Sequence, residues 1–212
     1  MLPLVETIYA DAHLLVLNKP AGLLSVPGKG VDKQECLSSR VQKSYPDALI
    51  VHRLDMATSG LMLMARGLVM QIALSKLFEN RMMHKRYVAV VDGHMAANTN
   101  WQLIDLPIAL DWPNRPLRII HGNGKPSQTR WRAMRYNADA NTTRVELEPM
   151  TGRSHQLRVH LKELGHPMLG DALYAPADVQ AKSSRLLLHA YVLRFLHPAS
   201  GEAMVFENAS AF

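Results

Sequence analysis

The sequence predicts an α+β fold with a mixed, mainly antiparallel β-sheet flanked by helices and loops. Three observations carry this: many short strand-like runs, few helical ones, and no regular strand–helix alternation of the kind that builds a parallel sheet. Val5-Glu6-Thr7-Ile8-Tyr9-Ala10 and His13-Leu14-Leu15-Val16-Leu17-Asn18 read as two strands around an Asp11-Ala12 turn. Lys19-Pro20-Ala21-Gly22 and Val26-Pro27-Gly28 punctuate a loop. Residues 34–45 read as a helix that stops before Pro46. Ile50-Val51-His52 is a short strand and Gly60-Leu61-Met62-Leu63-Met64-Ala65 a fully apolar one, with a polar loop between them.

A helix is expected over 68–80, with Leu68, Ile72, Ala73 and Leu77 on its buried face. Tyr87-Val88-Ala89-Val90-Val91 follows as a strand. Gln128-Thr129-Arg130-Trp131-Arg132-Ala133 alternates with period two, placing its arginines on one face and Thr129, Trp131 and Ala133 on the other. Val145-Glu146-Leu147-Glu148 alternates as well. Residues 154–164 read as a helix with a Leu157, Leu161, Leu164 stripe, closed by Gly165 and Pro167. Strands at 186–188, 191–196 and 203–206 complete the chain. No linker or repeat divides it, so residues 1–212 are expected to form a single domain.

Composition bounds the function. Of 212 residues, 48% are hydrophobic and 20% charged, which excludes wholesale disorder. The one cysteine, Cys36, excludes an intramolecular disulfide framework and any multi-cysteine metal site, and fits a reducing compartment. The opening residues have neither a basic n-region nor a long apolar core, and no run of about eighteen apolar residues occurs anywhere. A soluble, cytoplasmic protein with no membrane association is expected. The net charge of +6 favours a polyanionic partner. From Trp112 to Ala138 no acidic residue occurs, while Arg115, Arg118, Lys125, Arg130, Arg132 and Arg135 do. A nucleic-acid-binding surface and a solvated sheet face fit that stretch equally well.

Several chemical motifs fail. Gly122-Asn123-Gly124-Lys125-Pro126-Ser127 has the wrong spacing for a phosphate loop, with proline where Ser or Thr should follow the lysine. Neither a dinucleotide fingerprint nor a G-x-S-x-G elbow occurs. His155 and His160 lie five apart, which does not bring two rings onto one helical face, so no metal is expected. The constellation that stands out is His52-Arg53-Leu54-Asp55-Met56-Ala57-Thr58-Ser59-Gly60. A purely structural Asx-turn accounts for it. So does an ionised carboxylate held by rigid strands at a cleft floor, the group needed for nucleophilic or acid–base work on a glycosidic bond.

The same residues resemble the signature of the RluA-type pseudouridine synthases. The resemblance continues in order through Asn18-Lys19-Pro20-x-Gly22, Lys85-Arg86-Tyr87-Val88-Ala89, Thr151 to His160, Gly165-His166-Pro167-x-x-Gly170-Asp171-x-x-Tyr174 and Leu186-Leu187-Leu188-His189-Ala190, spanning residues 13–198. It implies the pseudouridine synthase fold and isomerisation of uridine to pseudouridine within RNA, without cofactor or metal. It further implies that Asp55 is the catalytic carboxylate, that Tyr87 stacks on the uracil and assists removal of the C5 proton, and that Arg158 pairs with Asp55 and keeps it ionised. Leu157 would pack beside the base. Arg53 would fill the space left by the flipped nucleotide, because a stacked uridine must be extruded before it can react. His52, Arg153 and His155 would contact the substrate, and Arg115, Arg118, Arg130 and Arg132 the RNA beyond it.

Many relatives carry an N-terminal S4 domain; here strand patterning begins at Val5, and none is expected. Asp111-Trp112-Pro113-Asn114-Arg115-Pro116 resembles the RluA branch, which implies tRNA anticodon-loop position 32 and 23S rRNA position 746 as substrates. A monomer is expected. An insertion-like segment at Ala96–Asn100 departs from that pattern. Other single-domain relatives modify tRNA position 65. A non-catalytic RNA-binding module and an N-glycoside hydrolase are the rival readings.

Overall fold

The computed structural model describes residues 5–96 and 100–212; most of the insertion-like segment at Ala96–Asn100 therefore lies outside the described residues. Two compact units result. One runs to Lys85 and takes up His189–Ala211; the other comprises Arg86–Leu188 with Phe212.

In the first unit, β1 (Glu6–Ala10) pairs antiparallel with β2 (Leu14–Lys19). Asp11 closes their turn by accepting the His13 and Leu14 amides at 2.6 and 2.7 Å, the Asx geometry that makes Asp a turn residue. The central strand is β4 (Ser59–Arg66), buried along its length up to Arg66. It runs antiparallel to β2 and to the short β3 (Ala48–Ile50), and parallel to β11 (Leu188–Leu196), which makes the sheet mixed. β12 (Ala203–Glu207) flanks β11. Only glycine fits position 60: at φ +113° a Cβ would sit 2.2 Å from the Ala190 carbonyl oxygen, where β4 and β11 meet.

Leu61, Leu63 and Ala65 of β4 face α2 (Leu68–Glu79), whose Met70 and Leu74 are buried with Leu14, Val16, Leu193 and Phe195. Met62 and Met64 project the other way and are equally buried, as are Leu15 and Leu17. Two-sided burial explains why β4 reads as an unbroken apolar run rather than an alternating one. The expected face of α2 is corrected. Ala73 and Leu77 do pack inward, but Leu68 and Ile72 are 64% and 51% exposed. Apolar residues surround this helix, so periodicity had no unique face to select. The helix expected over 34–45 is also shorter: α1 spans Leu37–Val41. Cys36 caps it, its Sγ accepting the Ser39 amide while Ser39 Oγ accepts the Cys36 amide.

In the second unit, β5 (His84–Asp92), β10 (Thr142–Pro149), β9 (Gln128–Asn137) and β6 (Gln102–Asp105) form an antiparallel array in that spatial order. A separate hairpin joins β7 (Ile108–Leu110) and β8 (Arg118–Ile120). The helix α3 (Gln156–Glu163) buries every residue from Gln156 to Leu161, polar ones included, while Leu164, expected in its apolar stripe, is 37% exposed. A five-residue helix, α4 (Ala177–Ala181), follows.

Candidate active site

Asp55 lies on the turn between β3 and β4, and main-chain contacts fix that turn. Ser25 Oγ donates to the Leu54 carbonyl at 2.6 Å and accepts the Leu54 amide at 3.1 Å. Lys19 is fully buried, and its ammonium donates to the carbonyls of Pro20, Leu23 and Met56 at 2.9, 2.7 and 3.1 Å. Three carbonyls match its three donors, the condition for keeping a lysine out of water. The Gly22 amide also donates to the Met56 carbonyl, at 2.8 Å, and the Thr58 amide donates to that of Asp55 at 3.1 Å.

The downstream end is pinned by Ser59, whose Oγ lies 2.9 Å from His189 Nδ1. His189 Nε2 faces the carbonyl and side-chain oxygens of Asn208 at 3.0 Å. Two acceptors there require the proton on Nε2, so Nδ1 accepts the serine hydroxyl. Thus Lys19 and Gly22 act on the Asp55 turn by holding its backbone, and His189 by holding the Ser59 hydroxyl. Their residues were visible in the sequence, but their role was not; Ser25 and Asn208 carried no signal at all.

Upstream of Asp55, His52 stacks on Phe78 with ring centroids 4.5 Å apart, and its Nε2 accepts the Leu63 amide at 2.9 Å. Burial, reinforced by the charge of Lys85, pushes His52 down to about 3, so the ring is neutral at physiological pH. Burial lowers Lys85 as well, and its ammonium lies 5.6 Å over the same Phe78 ring. Arg53 is exposed, and among the described residues its guanidinium meets no acceptor. Within four residues the chain therefore passes from an anchored ring to an unengaged cation to the half-buried Asp55.

The second unit presents Tyr87 and α3 on one side of its sheet. Residues directly opposite in an antiparallel pair share a face. Tyr87 pairs with Leu147, and Leu147 with Trp131. Thr129 has the same parity and receives α3, through Gln156 Nε2 and His160 Nδ1, both at 2.9 Å. Arg158 is 4% exposed, and its Nε and Nη2 grip Asp171 Oδ2 and Oδ1 at 2.8 and 2.5 Å. Its guanidinium also lies over the Tyr174 ring, 5.0 Å from the centroid. Leu157 is buried beside it on the helix. His155 Nδ1 meets Tyr174 Oη at 2.6 Å, and Arg153 Nε reaches the Pro126 carbonyl at 3.3 Å. Burial lowers the pKa of His160, against the bond to Leu106 and the charge of Asp105.

The acid-free stretch splits into two places. Arg130 and Arg132 pair in register with Glu148 and Glu146, on the opposite face from Tyr87. Their guanidiniums bind those carboxylates at 2.9 and 2.6 Å, Arg86 joins Glu146 at 3.3 Å, and all three arginines lie within 5.4 Å of the Trp101 ring centroid. Carboxylates distant in sequence thus face these arginines across the sheet. By contrast, Arg118 sits on β8, where its amide donates to Tyr174 Oη at 2.9 Å, beside α3; Arg115 lies in the same hairpin, over Trp112 at 4.7 Å. The alternation expected over 128–133 is thus present, with Arg130 and Arg132 on one face of β9, while Arg115 and Arg118 belong to the separate hairpin.

Among the described residues no group of three His, Cys, Asp or Glu side chains could hold a metal ion, and no helix is long and apolar enough to cross a membrane. Comparison with known proteins decides the family. The sequence profile described as RNA pseudouridylate synthase matches residues 13–163, across both units. The chain belongs to this family. It is an isomerase that converts uridine to pseudouridine within RNA. Among relatives of this pseudouridine synthase, the dual-specificity RNA pseudouridine synthase RluA of Escherichia coli K12 is 47% identical over 211 residues, covering 99% of this chain and 95% of the relative. The enzyme of the same name from Vibrio vulnificus is 49% identical over 202 residues, covering 93% and 80%. A solved structure, human RNA pseudouridylate synthase domain containing 1, matches with a TM-score of 0.81 at 28% identity, covering 100% of this chain and 87% of that one.

Proposed function

We propose that this pseudouridine synthase has dual specificity, acting on position 32 of tRNA anticodon stem-loops and on position 746 of 23S rRNA, as a cytoplasmic monomer that needs neither metal nor cofactor, and that its catalytic domain comprises both units. The observation that carries the reaction chemistry is the Asp55 turn: a carboxylate on a loop clamped at Leu54, Met56 and Ser59, with an unengaged arginine two residues before it. Dual specificity is supported by relatives of that description at 46 to 49% identity over nearly the whole chain.

In this reading Asp55 is the catalytic carboxylate. Arg53 enters the stack vacated by the extruded uridine, which suits a planar cation with no partner to give up. Tyr87 stacks on the uracil, with Leu157 packed beside the base. Arg158, already oriented by Asp171, supplies a fixed positive charge to the reaction. Arg115 and Arg118 track the RNA backbone, Arg153 and His155 reach the substrate from the start of α3, and His52 presents Arg53 through its anchored ring. Nothing in this scheme draws on Arg130 or Arg132.

The test uses a tRNA anticodon stem-loop and an rRNA hairpin, with nucleosides resolved after digestion. Wild-type protein forms pseudouridine at the two stated positions, and Asp55→Asn forms none while keeping RNA affinity within about threefold, because phosphate contacts dominate binding. Pseudouridine at tRNA position 65 instead would replace the substrate assignment. An active Asp55→Asn would remove that residue from the chemistry.

A further inference from the structure

Tyr174 stands where three parts of the second unit meet. Its hydroxyl accepts the Arg118 amide of β8 at 2.9 Å and shares a 2.6 Å hydrogen bond with His155 Nδ1 at the start of α3. Its ring lies under the Arg158 guanidinium, and its own amide donates to Asp171 Oδ1 at 3.2 Å, the oxygen that also receives Arg158 Nη2. His155 adds an independent observation. It precedes α3 at φ 58°, a left-handed conformation that a non-glycine residue adopts at a cost, and no side-chain bond caps the helix there. Among the described residues the other non-glycine positive-φ positions are Arg81, after α2, and Asn141, in the turn between β9 and β10. His155 alone of the three is joined to the Arg158 setting.

We propose that Tyr174 and His155 are positioning residues that couple the β7–β8 hairpin to Arg158, so that RNA phosphates held by the hairpin set the guanidinium for reaction. The contact from β8 is made by a backbone amide, so any displacement of the strand by bound RNA passes directly to the Tyr174 hydroxyl. The ring then carries it to Arg158, whose other edge Asp171 holds. His155 braces the hydroxyl from the helix side, at the expense of its own backbone conformation. The inference rests on the assignment of Arg158 to the reaction and of the hairpin to RNA binding.

Tyr174→Phe keeps the ring and deletes both hydroxyl contacts; Arg118→Ala keeps the amide and deletes the cation. Single-turnover rates at saturating enzyme, with RNA affinities measured alongside, separate positioning from binding. Tyr174→Phe is expected to slow the reaction about tenfold, as small misplacements of reacting groups do, with affinity within about twofold. Arg118→Ala should lower both affinity and rate, and the double variant should react no more slowly than Tyr174→Phe, because the route is already cut. His155→Gly, which adopts the left-handed backbone freely, should reproduce the rate loss without lowering the melting temperature. A wild-type rate for Tyr174→Phe, multiplicative losses in the double variant, or rate losses that merely track melting temperature overturn the coupling. Arg158→Met distinguishes the underlying reading: an active protein overturns the role of Arg158 and the coupling with it, whereas an inactive one beside a fully active Tyr174→Phe overturns the coupling alone.

Discussion

Asp55 and Arg158 are held by different means. The bonds that fix the Asp55 turn at its centre end on main-chain atoms of Leu54, Asp55 and Met56, with one side-chain bond, from Ser59 to His189, at its downstream end. Arg158 is gripped by the side chains of Asp171 and Tyr174, on a helix whose Gln156 and His160 also bond through their side chains. A turn held by its backbone keeps its path when a side chain on it is replaced, so Asp55→Asn and Arg53→Ala are clean probes of chemistry. A helix held by side chains answers the same kind of change with a loss of stability.

The largest expected effect breaks the side-chain setting. Asp171→Ala leaves a guanidinium buried without its carboxylate, which destabilises a protein by about 3–5 kcal/mol. Ser25→Ala strips the Leu54 amide and carbonyl of one buried partner, a loss of about 1–3 kcal/mol. Urea unfolding of both variants measures the gap. If Ser25→Ala costs as much as Asp171→Ala, the two regions do not differ as described.

The next effect compares the two groups of arginines. Removing Arg115 and Arg118 should reduce the slope of log affinity against log salt by roughly 1.5, in line with two lost phosphate contacts. Replacing Arg130 and Arg132 with glutamine should leave that slope nearly unchanged, because their guanidiniums are already engaged by Glu148 and Glu146. Equal changes in the two double variants would show that both groups of arginines contact the RNA.

The last effect is a pH dependence within the backbone-held region. His52 is neutral in the folded protein down to about pH 3 but takes a proton near pH 6.5 once unfolded. Below pH 6.5 the unfolded chain therefore binds the extra proton, and stability falls as pH drops toward 3. His52→Gln retains an acceptor for the Leu63 amide and does not titrate. Its melting temperature should decline less than that of the wild type between pH 6.5 and 4.5 and match the wild type's trend above pH 7. Parallel curves throughout would show that His52 does not contribute.

What the sequence determined by itself is whatever local chemistry writes into adjacent residues. Period-two alternation marked β9 and β10, the Asp11-Ala12 turn was readable between two strand-like runs, and the order of motifs from Asn18 to Ala190 identified the Asp55 turn and the helix carrying Arg158. The segment after β5 offered no periodic run, so β6, β7 and β8, with three or four residues each, left no comparable mark. Only the tertiary structure decided which side of α2 is buried, since Leu68, Met70, Ile72 and Leu74 are all apolar. It alone paired Arg158 with Asp171, turned the Tyr174 hydroxyl to both Arg118 and His155, and set Glu146 against Arg132 through the register of β10 on β9. The physical reason is common to all of these. Backbone conformation and side-chain period follow from neighbours in the chain, whereas the partner of a buried charge is chosen by strand register and helix docking, which bring together residues the sequence keeps apart.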